Sequence, residues 1–375
     1  MERLRPFSLE RWFAQYEFTV DINLCASCAS TINTGYLLNF GGDKAKEAYL
    51  SLSLDYIESN GGEELRCDIA SQYCSVASED VFVTTGASEA ITILMLSEVN
   101  SGEEIVVQWP IYQSLYAIAE SLGANIKRWC PSSQWQWDLK ELERVLSAKV
   151  SMLIINSPHS PTGHCFMPEE MQEIANLAAK YNTRLVIDEV YRGISYDTDN
   201  NKPGADLSPG TVSIGDLTKP YGLGGLRVGW IASTERDLLR RCAQIRDYTT
   251  MCCAAPSEFL AGIALRNRER ILFEKIMVSK RNIQAFAEMV ERHSDIITWK
   301  RPLGGFTAFP FLKIDMDSED FCRLLVERED VLLLPGNVFG YPKNFRIGFG
   351  MDEETFNEGL KRLEVFLSFI REGQI

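Results

Sequence analysis

The segment VSMLIINSPHSPTGHCFMPEEMQEIANLAAKYNTRLVIDEV, residues 150–190, has the pattern of a β-strand, an α-helix and a second β-strand. Its two ends, 150–156 and 184–190, are short apolar runs rich in β-branched residues, which is typical of buried strands. Residues 168–182 begin with a proline and two acidic residues and carry apolar side chains at spacings of three and four, which predicts an amphipathic helix. Two strands joined through a helix favour parallel pairing, because the helix returns the chain across the sheet.

Two further β-branched runs extend this alternation, EIVVQW at 104–109 and TVSIG at 211–215, with helical stretches between the strands. The pattern predicts an α/β protein with a largely parallel sheet covered by helices on both faces. After about residue 256 it changes to long helices, then to three strands at 304–314, 331–336 and 345–350, and then to a last helix from about residue 352. We therefore expect a second lobe of α+β type.

The chain length also favours two lobes, because 375 residues exceed what one hydrophobic core usually supports. We expect residues 1–45 to form an N-terminal segment that contributes to the small domain and to the active site. Residues 46–255 would form the large domain, which carries most of the predicted strands. Residues 256–375 would form the C-terminal small domain.

The charge balance bears on the partners of this protein. With 38 basic and 52 acidic residues the net charge is −14, which argues against nucleic acid and mildly favours a cationic ligand. No apolar run is long enough to span a bilayer, and the beginning MERLRPFSLERW is too charged for a secretory signal. We expect a cytoplasmic protein without a membrane partner.

Ten cysteines raise the question of a metal or redox site. Cys25 and Cys28 form a CxxC pair, but no second pair follows at zinc-finger distance and the chain has three histidines. The other cysteines have apolar neighbours and are typical of small buried side chains. We expect no metal site, and scattered free thiols favour a reducing compartment.

Small and polar residues follow several predicted strands, which is where open α/β sheets bind ligands. Residues 86–88 (GAS) open a helix whose free N–H groups could bind a phosphate, although small residues are also common caps. Asp188 and Tyr191 follow an apolar strand, where an acid is costly unless it is paired or caps a helix. Lys219 lies between a polar turn and a glycine-rich run ending at Arg227, yet a loop lysine is ordinarily a solvated charge. Each stretch alone has an ordinary structural explanation.

Together and in this order, these stretches resemble the fold type I pyridoxal phosphate enzymes, aminotransferase class I/II, over nearly the whole chain. The resemblance implies an α/β fold with a mainly parallel seven-stranded sheet between helices in the large domain, and a smaller α+β domain. It also implies pyridoxal 5′-phosphate as the cofactor, a small-molecule amino acid as the substrate and a homodimer as the assembly.

The resemblance assigns roles to individual residues. Lys219 matches the lysine that binds the cofactor covalently, Asp188 the acid at the pyridine nitrogen, and Tyr191 the tyrosine at the ring hydroxyl. These three are the expected catalytic residues, and a freed lysine can move protons as base and acid. The other expected cofactor contacts are Gly86, Ala87, Ser88 and Arg227 at the phosphate, Tyr112 stacked on the ring, Asn156 and Ser160 in the turn beside it, and Tyr56 at the phosphate of the partner subunit.

Three positions depart from the family pattern. Ser160 replaces the asparagine that usually donates to the ring hydroxyl, and Pro220 directly after the lysine is atypical. Asp216 replaces a serine or threonine that usually binds phosphate. A carboxylate there would repel the phosphate unless it is protonated, turned away or paired with a base such as Arg227.

Within the family, the chain is most similar to the capreomycidine synthase-like cyclases and to the enduracididine-forming hydroxyarginine cyclodehydratase of guanitoxin biosynthesis, a natural product route. The stretches that carry this resemblance include SLERW, VTTGASEA, LTKPYGLGGLRVGW and IRDYTT. It implies conversion of a hydroxylated L-arginine, such as 4-hydroxy-L-arginine, to a cyclic guanidino acid of the L-enduracididine type. Cα and Cβ would be deprotonated, water lost, and the guanidine added within the molecule. The alternatives are a class I/II aminotransferase and a capreomycidine synthase acting on 3-hydroxyarginine.

Four residues are the candidates for substrate binding. Arg346 matches the family arginine that binds the substrate α-carboxylate, and a guanidinium offers a carboxylate two parallel hydrogen bonds. Because a guanidinium has a pKa of about 13.8, it needs an acid nearby to remove its proton. Glu10 is the candidate, and an ordinary first-turn helix acid is the alternative. Cys25, in the stretch DINLCASCAS, is expected to line the cavity; His159 is expected near the ring edge or packed within its turn.

Overall fold

The computed structural model describes residues 4–196 and 202–374, and a seven-stranded sheet organises the larger part of the chain. Its strand order is β2-β8-β7-β6-β5-β3-β4. β8 is antiparallel to both of its neighbours, and the other pairs are parallel. The predicted α/β class with a mainly parallel seven-stranded sheet is therefore confirmed. The strands are β2 (Val81–Thr84), β3 (Glu104–Gln108), β4 (Asn125–Trp129), β5 (Val150–Asn156), β6 (Arg184–Asp188), β7 (Val212–Asp216) and β8 (Gly229–Ala232).

The helices cover both faces of this sheet. In β6, Leu185 and Ile187 pack into one apolar cluster, whereas Val186 packs into another. Successive side chains of a strand point to opposite faces, so both faces are buried, as parallel sheets require. The helices are α1 (Ser8–Tyr16), α2 (Thr34–Asn39), α3 (Gly42–Leu50), α4 (Glu63–Ala70), α5 (Gly86–Glu98), α6 (Ser114–Ser121), α7 (Leu139–Val145), α8 (Pro168–Lys180), α9 (Arg236–Arg246), α10 (Ala255–Arg266), α11 (Arg268–Arg292), α12 (Ser318–Glu329) and α13 (Glu353–Arg371).

Short strands and long helices form the C-terminal part of the chain. β10, β14 and β13 make a small antiparallel sheet. The N-terminal strand β1 pairs with β12 in parallel, which joins the beginning of the chain to this C-terminal part. The bounds are β1 (Ile22–Asn23), β9 (Ile297–Thr298), β10 (Thr307–Ala308), β11 (Phe311–Leu312), β12 (Val331–Leu332), β13 (Leu334–Pro335) and β14 (Phe345–Gly348).

Two predicted strands are divided in the structure. The run 331–336 forms β12 and β13, which pair with β1 and β14. The run 304–314 was expected to be a single strand, but β10 and β11 occupy parts of it and pair with different partners, β14 and β9. Pro310 lies between them, and proline cannot donate a ladder hydrogen bond. Among the described residues, no helix is both long and apolar enough to cross a bilayer.

Candidate active site

A cavity of about 270 Å³ lies where β5, β6 and β7 end and α5 begins. The carboxyl ends of parallel strands share one edge of the sheet, so residues from different strands meet there. Asp188 ends β6 directly opposite Asn156, the last residue of β5. Asp216 ends β7, and Lys219 follows it by three residues. All four residues line the cavity, so the topology alone brings them together.

One end of the cavity has the features of a phosphate site. The first turn of α5 is not capped by a side chain at Thr85, so its N–H groups remain available to an anion. Gly86 has φ +76, and a Cβ there would collide with the Arg227 guanidinium. Arg227 donates to the carbonyl of Gly224 over 3.2 Å and lies 3.5 Å from the Thr218 hydroxyl. Ala87 and Ser88 also line this end.

Thr218 lines the same end of the cavity and was not identified from the sequence. Thr218 immediately precedes Lys219 in the sequence, and its hydroxyl could contribute to an anion site together with Arg227. The signal that could have found it is its position beside the lysine.

Asp188 is a nearly fully buried acid in the middle of the cavity. Its side chain is 4% exposed, and its Oδ1 accepts a hydrogen bond of 3.2 Å from the Val190 N–H. Burial raises its pKa to about 7, and the neighbouring carboxylate of Asp216 adds to that rise. The ionised form of such a buried carboxyl group is stabilised by a cationic partner. The protonated pyridine nitrogen of pyridoxal phosphate would supply such a partner.

Asn156 braces the turn that follows β5. Its Oδ1 accepts from the Ser160 N–H over 2.7 Å, and its Nδ2 donates to the Asp188 carbonyl over 3.0 Å. The amide therefore fixes the turn against the end of β6, and the Ser160 side chain faces the cavity wall beside it.

Lys219 carries its amine into the cavity, where Nζ donates to the Ser27 hydroxyl over 3.0 Å. Burial alone would lower its pKa, but Tyr191, Cys28 and Asp216 more than offset this and raise the pKa above its usual value. The amine is therefore held in its charged form near acidic groups. A charged amine attracts an anionic cofactor, and it has to lose its proton before it can attack a carbonyl carbon or act as a base.

The unusual Asp216 faces the turn that carries the lysine. Its Oδ1 accepts from the N–H groups of Thr218 and Lys219, over 3.0 and 3.4 Å. Burial raises its pKa, and these hydrogen bonds and Lys219 oppose the rise. Its Oδ1 is therefore directed to the backbone of the turn, which helps an acid to be tolerated beside the candidate phosphate site.

Arg346 and α1 form the other end of the cavity. The Arg346 side chain is 3% exposed, and its Nη2 donates to the Cys25 carbonyl over 2.9 Å. Among the described residues its Nε has no hydrogen-bond partner, so this nitrogen remains available to a carboxylate. From α1, Glu10 Oε1 accepts from the Tyr112 hydroxyl over 3.1 Å, and burial and Glu10 raise the pKa of Tyr112.

Four of the residues expected at the site do not line this cavity. One is Gly86, which directly precedes Ala87 and lies against the Arg227 guanidinium. His159 is 1% exposed; its Nε2 lies 2.7 Å from the Pro110 carbonyl, its Nδ1 lies 2.7 Å from the Thr162 hydroxyl, and burial lowers its pKa to about 3. Both ring nitrogens are thus engaged, and His159 packs within its turn. Cys25 is fully buried and contributes its carbonyl to Arg346 instead of its thiol to the cavity. Tyr56 is 79% exposed, so a role at this site requires the partner subunit.

Comparison with known proteins agrees with this geometry. The family model described as aminotransferase class I and II matches residues 43–363. Capreomycidine synthase of Streptomyces vinaceus is 32% identical over 305 residues, covering 80% of this chain and 78% of that protein. An aspartate aminotransferase of Sulfurisphaera tokodaii is 28% identical over 335 residues, covering 84% and 83%.

Two solved structures share the fold over almost their whole length. The PLP-dependent cyclase OrfR superposes with a TM-score of 0.91 at 29% identity, covering 98% of both chains. A PLP-dependent aminotransferase from Streptococcus suis superposes with a TM-score of 0.92 at 27% identity, again covering 98% of both chains. Cyclases and aminotransferases are therefore both similar to this chain.

Proposed function

This chain belongs to the aminotransferase class I and II family and is a pyridoxal phosphate-dependent enzyme, and we propose that its reaction is the cyclodehydration of a hydroxylated L-arginine. The substrate proposed is 4-hydroxy-L-arginine, and the product is a cyclic guanidino acid of the L-enduracididine type, as in guanitoxin biosynthesis. The observation that carries the proposal is the Glu10 carboxylate, which lines the cavity on α1 at the end that also holds Arg346.

The residues present fit the cofactor. The first turn of α5 and Arg227 would hold its phosphate, Asp188 its ring nitrogen, Tyr112 a face of its ring, and Lys219 its aldehyde carbon. Pyridoxal phosphate, when bound, draws electrons from the amino acid and so makes its C–H bonds acidic. The protein supplies the groups that bind the substrate and move protons.

The charges of the cavity support a substrate with a carboxylate and a cationic tail. Arg346 offers its free guanidinium edge to the α-carboxylate, which fixes the orientation of Cα. Glu10 would bind the guanidinium. Glu17 directly follows α1; it is exposed and does not line the cavity, although its pKa is raised by partial burial and by Glu10. The two acids carry negative charge near this end of the cavity, which favours a cation over the second carboxylate that an aspartate substrate would bring.

Proton transfer would fall mainly to two residues. The Lys219 amine takes the proton from Cα and then one from Cβ, and it returns them to the substrate as the reaction proceeds. The C–O bond at Cγ breaks, and the hydroxyl leaves as water with a proton from Lys219. The proton that Glu10 takes from the guanidinium in the next step replaces it, so the protons of the cycle balance. Glu10 accepts a proton from the guanidinium, whose freed nitrogen then forms the C–N bond that closes the five-membered ring. Substrate therefore becomes product plus one water, without an external oxidant or reductant.

We also propose a cytoplasmic homodimer. Leu50 and Leu54 are 84% and 83% exposed and lie close in sequence to Tyr56, which is 79% exposed. Exposed apolar side chains clustered in this way are typical of protein interfaces. In the dimer, Tyr56 would reach the phosphate of the cofactor bound by the partner subunit.

Transamination is the second candidate, because aminotransferases are as similar in fold as the cyclase and Lys219 would serve both reactions. Incubation with 3- and 4-hydroxyarginine in deuterium oxide, followed by identification of the products, separates the two. The proposal expects a cyclic product with deuterium at Cα and Cβ. A product that keeps its hydroxyl would contradict cyclodehydration. A keto acid formed in step with amino-group transfer would identify the reaction as transamination. A cyclic product without deuterium at Cβ would reject the proton transfers described here.

A further inference from the structure

Residues 24–30, here called the strap, connect β1 to the region before α2 and lie against the cavity. The strap is fixed at both ends, because the Gly348 N–H donates to the Leu24 carbonyl and the Ser30 N–H donates to the Gly350 carbonyl, each over 2.7 Å. A Cβ at Gly348 would collide with the strap backbone, and so would one at Gly350. Because the backbone at Gly348 and Gly350 packs so closely against the strap, the strap is held in a single position.

The strap touches two of the three cationic side chains that line the cavity, Lys219 and Arg346 but not Arg227. The Ser27 hydroxyl accepts from Lys219 Nζ over 3.0 Å, and the Cys25 carbonyl accepts from Arg346 Nη2 over 2.9 Å. The Ala29 N–H donates to the Lys219 carbonyl over 2.9 Å. Backbone and side chain of Lys219 are therefore both held by the strap.

A buried lysine outside the cavity fixes the far end of the strap. Lys275 of α11 is 8% exposed, and its Nζ donates to the Ser30 carbonyl over 2.7 Å and lies 3.3 Å from the Ser30 hydroxyl. Burial lowers the pKa of Lys275, while Glu274 and Cys28 oppose this shift. Burying an ammonium in such a site costs free energy. Among the described residues, the hydrogen bonds of Lys275 to the strap are the main contacts that offset this cost.

We propose that Ser27 is a positioning residue for the Lys219 amine and that Lys275 acts on the same amine through Ser30 and the strap. The Ser27 hydroxyl orients Nζ and stabilises its charged form. The reason is that a hydrogen bond donated by a charged ammonium to a hydroxyl oxygen is stronger than one donated by a neutral amine. The proposal is independent of the substrate. It applies to any reaction in which Lys219 carries a proton.

Other groups also act on this amine, so the contribution of Ser27 has to be measured against them. They come from the strap, from α1, from the ends of β6 and β7 and from β14. The charged and titratable groups that face Lys219 are Cys28, Glu17, Asp188, Tyr191, Asp216 and Arg346.

The test measures the Lys219 amine in the cofactor-free protein, without substrate. Competitive acetylation with acetic anhydride at a series of pH values, read out by peptide mass spectrometry, gives the pKa of this one amine. Ser27→Ala should lower that pKa by about one unit, which increases acetylation about tenfold at a pH below the pKa. Ser27→Thr keeps the hydroxyl and should restore the wild-type profile.

Lys275→Met tests the action through the strap. Loss of a nearby positive charge would by itself raise the Lys219 pKa, whereas a loosened strap should lower it, so the sign separates the two causes. In the Ser27→Ala, Lys275→Met double variant the two effects should not add, because both act through one contact. Lys280→Met is the matched control, since Lys280 lies on α11 about 140° around the helix from Lys275.

Several results would overturn the proposal. An unchanged Lys219 pKa in Ser27→Ala rejects the role of Ser27. A lower melting temperature with an unchanged or raised Lys219 pKa in Lys275→Met, or additive effects in the double variant, rejects the action through the strap. None of these measurements uses hydroxyarginine, so their failure would leave the proposed cyclodehydration untouched, and failure of that reaction would leave these results valid.

Discussion

Replacing Glu10 by glutamine should separate ring closure from Cα chemistry. Glutamine keeps the size of the side chain and an oxygen that can accept from the Tyr112 hydroxyl, which in the wild type lies 3.1 Å from Glu10 Oε1. The substitution removes only the charge and the ability to accept a proton from the guanidinium. The N-terminal helix and the shape of the cavity should therefore be preserved.

The magnitude follows from the contact that is lost. A hydrogen bond to a charged group contributes about 1.5–3 kcal/mol, which corresponds to about a 10- to 150-fold loss in kcat/KM for cyclisation. Exchange of the Cα hydrogen needs Lys219 and the cofactor, so its rate at saturating substrate should change less than threefold.

The assay follows 4-hydroxyarginine in deuterium oxide by NMR, recording deuterium at Cα and formation of the cyclic product in the same sample. Glu354→Gln is the matched control, because this exposed acid in the first turn of α13 removes the same charge at a remote position. A comparison of Cα exchange in arginine and in citrulline, which lacks the guanidinium charge, tests whether the enzyme recognises that charge. Glu10→Gln should reduce the preference for arginine. A Glu10→Gln enzyme that cyclises within twofold of the wild type would refute this assignment of the guanidinium site.

Four further outcomes are expected. Borohydride reduction of the holoenzyme and peptide mapping should place the cofactor on Lys219, and attachment to another lysine would contradict the site. Arg346→Ala should raise KM for the amino acid at least tenfold and Arg346→Lys should recover only part of this, because an ammonium cannot form two parallel hydrogen bonds; equal kinetics in both variants would move the carboxylate site. In the cofactor-free protein the pKa of Asp188 is about 7, raised from 3.8, so its contribution to stability is present at pH 4 and lost as the pH rises through 7. Asp188→Asn should therefore melt at a higher temperature than the wild type at pH 8 but not at pH 4.5, and a gap that is independent of pH would argue against a raised pKa. Light scattering over a dilution series should find a homodimer wherever the enzyme is active, and an active monomer would remove the role of Tyr56.

The sequence pattern by itself predicted four of the seven strands of the main sheet and the edge of the sheet at which the candidate site lies. Apolar runs alternating with an amphipathic helix gave β5, α8 and β6, because periodicity depends only on which face of an element is buried. Since parallel strands end at a common edge, the residues after those strands, Asp188 and Lys219 among them, were expected to converge. The structure confirms the α/β sheet, and it brings both residues to one cavity.

The local sequence pattern was insufficient to predict the direction of side chains in turns and the pairing of short strands. His159 lies in a turn beside the cavity, yet its ring faces the Pro110 carbonyl and the Thr162 hydroxyl. Whether a turn side chain faces ligand or protein depends on the backbone angles of the turn and on the groups opposite, and the sequence pattern specifies neither. The division of β10 from β11 similarly follows from Pro310 together with two different pairing partners.

Only the tertiary structure decided which distant groups meet in the cavity. Ser27 and Lys219 are 192 positions apart, and Cys25 and Arg346 are 321 apart. Asp216, which looked incompatible with a phosphate site, is directed to the backbone N–H groups of its own turn. Such contacts depend on how the strap, α1 and the small antiparallel sheet pack against the edge of the large sheet. Hydrophobic periodicity specifies the buried face of each element, but the relative placement of elements far apart in sequence is fixed by the packing of the whole core.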